Sequence, residues 1–275
     1  MAIGIPDTLT ADNSEKYIVS IRLRPDGLSF SGYMPSGHGS FFYRDTEFSR
    51  QVPYITSLKD LFFSNECLSW NYKRIQIVNV SERYTVVPES YYDENVDDDL
   101  LKFLFMDFNG RSLSNELRQI PHRVVFGMDE DVYEFCARSF QHPLFFQHIT
   151  PLVYLWKKQN KRAARNEMFV SFHRRLVDVV CFRNGDLLRA NTFSVSQPGD
   201  ALYYILYTWK QTQLNTENDV LHIGGDSTLR EKVSPELRRY VRHILPLEIP
   251  SEAFILRGDV IKAPMDLISL SVCEL

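Results

Sequence analysis

Residues 219–233, DVLHIGGDSTLREKV, carry the most suggestive chemistry in the chain. An apolar run, Val220 to Ile223, leads into Gly224-Gly225, and Asp226, Ser227 and a helical pattern from Leu229 follow. Paired glycines between a strand and a helix start let backbone N–H groups approach a phosphate. Gly224, Gly225, Asp226 and Ser227 are therefore the candidate nucleotide-binding residues. A second candidate is the turn His173-Arg174-Arg175. There Arg174 and Arg175 offer guanidinium groups that pair with phosphate oxygens.

The other reactive side chains read more plainly. His142 and His148 stand six apart in FQHPLFFQHITPL, beside Gln141 and Gln147. Extended spacing puts them on one face, but no Cys or acidic residue is near to complete a zinc set. They are expected to bond backbone groups. His122 and His173 read as isolated. Asp178, between Val177 and Val179, is expected to face solvent by alternation. Asp97, Asp98 and Asp99 open a helical pattern, where the dipole favours negative charge. No Gly-x-Ser-x-Gly elbow and no phosphate loop ending in Gly-Lys-Ser/Thr occurs.

Elements must position these residues. KYIVSIRLRPDGLSFSGYMP reads as a hairpin around Pro-Asp-Gly, and GSFFYRDTEF adds a third strand. A helix is expected over SLKDLFFSNECL with Ser57 as N-cap. YKRIQIVNVSERYTVVPESYY predicts two strands around Ser-Glu-Arg. Further on lie a helix in DENVDDDLLKFLFMDF, a strand and helix in HRVVFGMDEDVYEFCARSF, and a helix from Ile149 with a basic end. The second half is cleaner. Strands are predicted at about 168–173, 176–183 and 187–194, with Asn184-Gly185 as a hairpin turn. A helix over PGDALYYILYTWKQTQL, a strand at 220–223, a helix at 228–243, the strand ILPLEI and a closing helix in the tail follow.

Three meander strands, a helix, a strand and a helix thus occur twice. This order resembles the actin-like ATPase superfamily of sugar kinases, heat-shock chaperones and actins. The implied fold is α/β, two ribonuclease-H-like halves with mixed five-stranded sheets. The expected division is 1–165 and 166–275, with the tail 263–275 placed to pack back on the first half. FVSFHRRLVDVVCFRNGDLLRANTFSV and VLHIGGDS are similar to bacterial actin-like proteins that assemble type IV pili and type II secretion platforms. IGGDSTLREKV is similar to the chaperones' adenosine motif. The match points to an uncharacterised bacterial family of this size with an actin-like ATPase fold.

Departures from that pattern shape the functional expectation. Active members carry an Asp in the first hairpin of each half, usually with a following glycine. Ile21 to Leu23 supply none, and Asp26-Gly27 lies in the turn. In the second hairpin His173, Arg174 and Arg175 stand where the Asp-x-Gly loop would be. Metal-assisted hydrolysis needs carboxylates to hold the ion. The phosphate loops therefore read as degenerate, and the expected role is a non-catalytic adapter or scaffold for a protein partner, with no required cofactor. The alternative is a nucleotide-binding ATPase or kinase-like switch using ATP and Mg²⁺ in the interdomain cleft. A third reading is an RNA-associated protein using a basic band of Lys157, Lys158, Lys161, Arg162 and Arg165. A net charge of −4 disfavours nucleic acid as the main partner. Four scattered cysteines read as small buried apolar residues and suit a reducing cytoplasm. No signal peptide or membrane span is evident, so a cytoplasmic protein is expected.

Overall fold

The computed structural model describes residues 3–37, 39–117, 119–160 and 166–273. The first meander is β1 (Ile18–Arg24), β2 (Gly27–Tyr33) and β3 (Phe42–Glu47). Helix α1 (Tyr54–Phe63) leads to β4 (Arg74–Asn79), which pairs parallel with β1. Ser57 lies inside α1, and Pro53 occupies the N-cap, where a missing N–H costs nothing. The chain then leaves this sheet. β5 (Tyr84–Pro88), α2 (Asp97–Leu104), β6 (Gly110–Leu117) and β7 (His122–Asp129) form a separate layer, with strand order β5-β7-β6. Thus Ser81-Glu82-Arg83 is no hairpin turn: β4 and β5 belong to different sheets. Helix α3 (Glu130–Ser139) returns the chain to β8 (Leu144–Gln147), and α4 (Ile149–Gln159) follows.

The second meander is β9 (Glu167–Phe172), β10 (Leu176–Arg183) and β11 (Asp186–Ser194). Asn184 and Gly185 both take positive φ, 52° and 85°, as a twisted two-residue hairpin requires. Helix α5 (Pro198–Gln211) starts on a reciprocal Gln197–Asp200 cap with Pro198 in its first turn. Then come β12 (Val220–Gly225), α6 (Ser227–Leu237), β13 (His243–Pro246), α7 (Ala253–Leu256) and α8 (Met265–Val272). Helix α6 stops six residues short of its expected end. Pro235 removes a backbone donor, and residues after Leu237 must turn so that His243 can pair with Val220.

The two five-stranded sheets share one order, β3-β2-β1-β4-β8 and β11-β10-β9-β12-β13. Each combines an antiparallel meander with two parallel strands. On one side of the first sheet, Val19, Ile21, Phe30 and Ile77 pack with Leu58 of α1 and Cys136 of α3. On one side of the second, Val170, Val179 and Leu221 pack with Ile205 of α5 and Val233 of α6. Between the sheets lie α4 and α8. Trp156 stacks on Phe169 of β9 at 5.4 Å, while Leu267 and Ile268 share a core with Val78 of β4. Both central sheets are therefore covered on two faces, which is why β1, β9 and β10 are buried almost throughout. All four cysteines are buried thiols. Among the described residues, no helix is long and apolar enough to cross a membrane.

Candidate functional site

The inner face of the second sheet carries Asp178. Alternation along β10 does turn it away from Val177 and Val179, but the face it joins is not solvent. That face is roofed by α4, so Asp178 is fully buried. This corrects the expectation of exposure: a period of two separates the faces of a strand without saying what covers each.

His148 and His173 converge on this carboxylate. His148 Nε2 lies 2.9 Å from one oxygen and His173 Nε2 lies 2.5 Å from the other. Thr192 on β11 donates its hydroxyl to Asp178 at 2.8 Å, and Tyr84 on β5 donates to Thr192 at 3.0 Å. The far side of His173 meets Arg22 on β1, whose guanidinium is 3.1 Å from Nδ1. Arg22 in turn donates to Asp266 of α8 at 2.6 Å. Arginine can only donate, so His173 Nδ1 accepts, and its proton sits on Nε2 facing Asp178. Burial alone would push the Asp178 carboxyl up. The two imidazoles that hydrogen-bond the carboxylate outweigh it and hold the group well below the usual carboxylate range. Burial, with the Asp178 charge, pushes the Tyr84 phenol well above its ordinary value, which keeps it a donor.

His142 does not join this cluster. It sits exposed in a turn with φ 48°, whereas His148 is buried at the start of α4. The two do not share a face, because β8 and the helix start lie between them. His173 is not isolated either: its partner is five residues away on the next strand.

The donor atoms of His148, His173 and Asp178 lie within 4.8 Å of one another, close enough to surround a cation. Their surroundings argue otherwise. A metal-bound imidazole hands its other N–H to an acceptor. His173 Nδ1 instead faces the Arg22 guanidinium, and His148 Nδ1 is buried with no hydrogen-bond partner among the described residues. General base chemistry is blocked in the same way, since Arg22 occupies the lone pair that a ligand would use. The cluster is a buried hydrogen-bonded network, anchored by the Arg22–Asp266 ion pair, joining β1, β5, β10, β11, α4 and α8.

Beside this network opens a cleft of about 680 Å³ between the two sheets. Gly224, Gly225, Asp226, Arg174 and Arg175 all line it. A Cβ on Gly224 would stand 2.7 Å from Leu247, and one on Gly225 would stand 2.2 Å from the Phe172 carbonyl oxygen. Gly225 also holds φ at 87°. Close packing of β12 on its neighbours thus demands both glycines by itself. Asp226 donates its N–H to the Phe172 carbonyl at 2.7 Å and caps α6 by accepting from Thr228 N at 2.9 Å. Ser227 is the first residue of α6.

Arg174 reaches across the cleft mouth. Its guanidinium bonds Glu47 and lies 3.6 Å from Asp45 and 3.7 Å from Asp26. Arg24 takes the same two aspartates, Asp45 at 3.1 Å and Asp26 at 3.7 Å. Arg175 and Arg230 line the cleft with no carboxylate partner among the described residues. Of the basic band, Lys157 donates to the Gly185 carbonyl and Lys158 lies 3.5 Å from Glu252. Lys161, Arg162 and Arg165 lie outside the described residues.

The family described as "Protein of unknown function (DUF3822)" matches residues 6–244. The chain belongs to this family. Among solved structures it is similar to a protein with an actin-like ATPase fold and unknown function from Bacteroides thetaiotaomicron VPI-5482. Identity is 27%, the TM-score is 0.83, and the match covers 98% of this chain and 100% of the other. A PilM–PilN type IV pilus biogenesis complex matches at 11% identity and a TM-score of 0.55, over 93% of this chain and 97% of that one. No curated protein matches. The fold is that of the actin-like ATPases, as the repeated strand–helix order implies.

Two outcomes follow from this geometry. Gly225→Ala should lower stability by about 2–4 kcal/mol, from a positive φ and a backbone clash; thermal melting without any ligand measures it. Asp178→Asn should cost about 3–5 kcal/mol near neutral pH, because it breaks a buried charged cluster. The folded-state pKa of Asp178 is depressed, so its contribution is full above the unfolded value of about 3.9 and is lost as pH falls toward the folded one. Urea melts of wild type and variant should therefore differ most at neutral pH and converge in acid below pH ~4.

Proposed function

We propose that the chain is a non-catalytic protein of actin-like fold, an adapter or scaffold that holds a protein partner. One observation carries this reading: Asp26 and Asp45, which line the cleft, and Glu47 beside them are taken up by Arg24 and Arg174, while Asp226 caps its own helix. Phosphate hydrolysis assisted by Mg²⁺ needs free carboxylates and waters around the ion. Arg174 would have to leave three acids before a cation could use them. The glycine turn lends support, since Leu247 and Phe172 already account for its two glycines. So does α6, whose N-terminus is capped by its own Asp226. The PilM–PilN complex offers a precedent for partner binding on this fold, by analogy alone.

A second reading is kept because of Arg175 and Arg230. Two cations without carboxylate partners among the described residues, on a cleft of ligand size, suit an anion such as a nucleotide. Melting with millimolar ATP or ADP, with and without Mg²⁺, separates the two. A ligand at ~100 times its Kd adds about 2.7 kcal/mol to the folded state, or roughly 5–10 °C in a chain of this size. The adapter reading expects no rise. A rise of that size, abolished by Arg175→Ala with Arg230→Ala, would put the nucleotide switch in its place.

A further inference from the structure

Helix α2 is apolar on two sides. Its inner side, Leu101, packs with Phe108 and Val125 against the three-stranded sheet, with Phe105 and Tyr92 alongside. One such side is enough to seat a short helix. Yet Val96, Leu100 and Phe103 also fall at i, i+4 and i+7, along a second line that Leu104 widens. Val96 is 45% exposed, Phe103 82% and Leu104 45%, and Met106, just past the helix end, is 97% exposed. A lone surface leucine needs no explanation, whereas an apolar stripe rimmed by polar groups marks an interaction surface.

The chain segment that carries this stripe is acidic. Between residues 93 and 109 the acidic residues are Asp93, Glu94, Asp97, Asp98, Asp99 and Asp107, against a single cation, Lys102. Asp97 faces inward to Tyr92, and Asp107 is held by Arg83 at 3.0 Å. Glu94 and Asp99 are exposed and make no ion pair among the described residues. Asp99 lies one turn before Phe103 on the same side of the helix. An apolar stripe with carboxylates along its border fits a helix of matching pattern: leucine-like residues on one side, lysine or arginine beside them.

We propose that the outer side of α2, centred on Phe103 and Met106, docks a basic amphipathic helix of a protein partner. This rests on the adapter reading and names the chemistry of the partner. The probe is a labelled Leu/Lys peptide of about 18 residues, roughly five helical turns. It is titrated onto the whole chain by fluorescence anisotropy, beside a scrambled peptide of equal composition and one with Glu for Lys. The expected result is binding of the patterned peptide alone, weakened by salt. Phe103→Ser with Met106→Ser should weaken it at least ~10-fold, the loss typical of central apolar anchors. Glu94→Lys with Asp99→Lys, which touches no core residue, should weaken it and flatten the salt dependence. Equal binding to the serine variant, equal binding of the scrambled or Glu peptide, or no binding would overturn the proposal. So would self-association of the chain that the serine variant abolishes, which would assign the surface to a second copy. A failure here with no nucleotide-induced melting shift removes this surface alone. A melting shift removes the adapter reading whatever the peptide does.

Discussion

A carboxylate with no contact to water stands at the centre of this molecule. Asp178 stays ionised only because His148, His173 and Thr192 all donate to it and because Arg22, one imidazole away, brings positive charge. Each donor arrives from a different element, so burying the charge obliges those elements to meet. Arg22 comes from residue 22 and its partner Asp266 from the last helix. The charge network thereby joins the start of the chain to its end. A buried ion pair adds little stability over a well-packed apolar core, yet removing one partner is costly. Here its members tie α4, α8 and strands of both five-stranded sheets to one another.

The layers are built around that network. The inner faces of both sheets are covered by the same two helices, α4 and α8. Trp156 and Phe169 fill the space beside the second sheet, and Leu267, Ile268 and Val78 the space beside the first. Polar inner residues collect where the apolar packing stops, and the cleft opens there. Its mouth is crossed by Arg174, which extends the charge pairing from the buried network to the surface. Exposed pairs of this kind are individually weak and screened by salt. Taken with Arg24 they form a cluster of two cations and three acids, in which every acid has an arginine partner and one net negative charge remains.

Departures from strict symmetry between the halves mark where function can be added. The first half inserts β5, α2, β6 and β7 between β4 and α3, and the second half has no counterpart. This inserted layer presents the exposed apolar stripe of α2. The insertion is tied into the core through Tyr84, Val124 and Phe126, while the outer side of α2 faces away from it.

The sequence alone determined a good part of this protein. The second meander was legible because β10 and β11 meet at Asn184-Gly185, a turn that such residues favour, and β12 because Gly224-Gly225 ends a short, mostly apolar run. The strand–helix order repeated, which carried the fold and the family resemblance. The division at the insertion was not legible. The residues of β5 look like the partner of β4, since local signals do not say which sheet a strand will join. β6, half exposed along its length, has no clean alternation to announce it. The charge network was hidden for a like reason. His148 read as a companion of His142, His173 as isolated and Asp178 as exposed, because what unites the three is that α4 lies over β10. Residue type and spacing determine which face of a strand is polar. What lies against that face, whether water, an arginine from residue 22 or a helix from the far end of the chain, was decided by tertiary packing, since burial is a property of the neighbours and not of the residue.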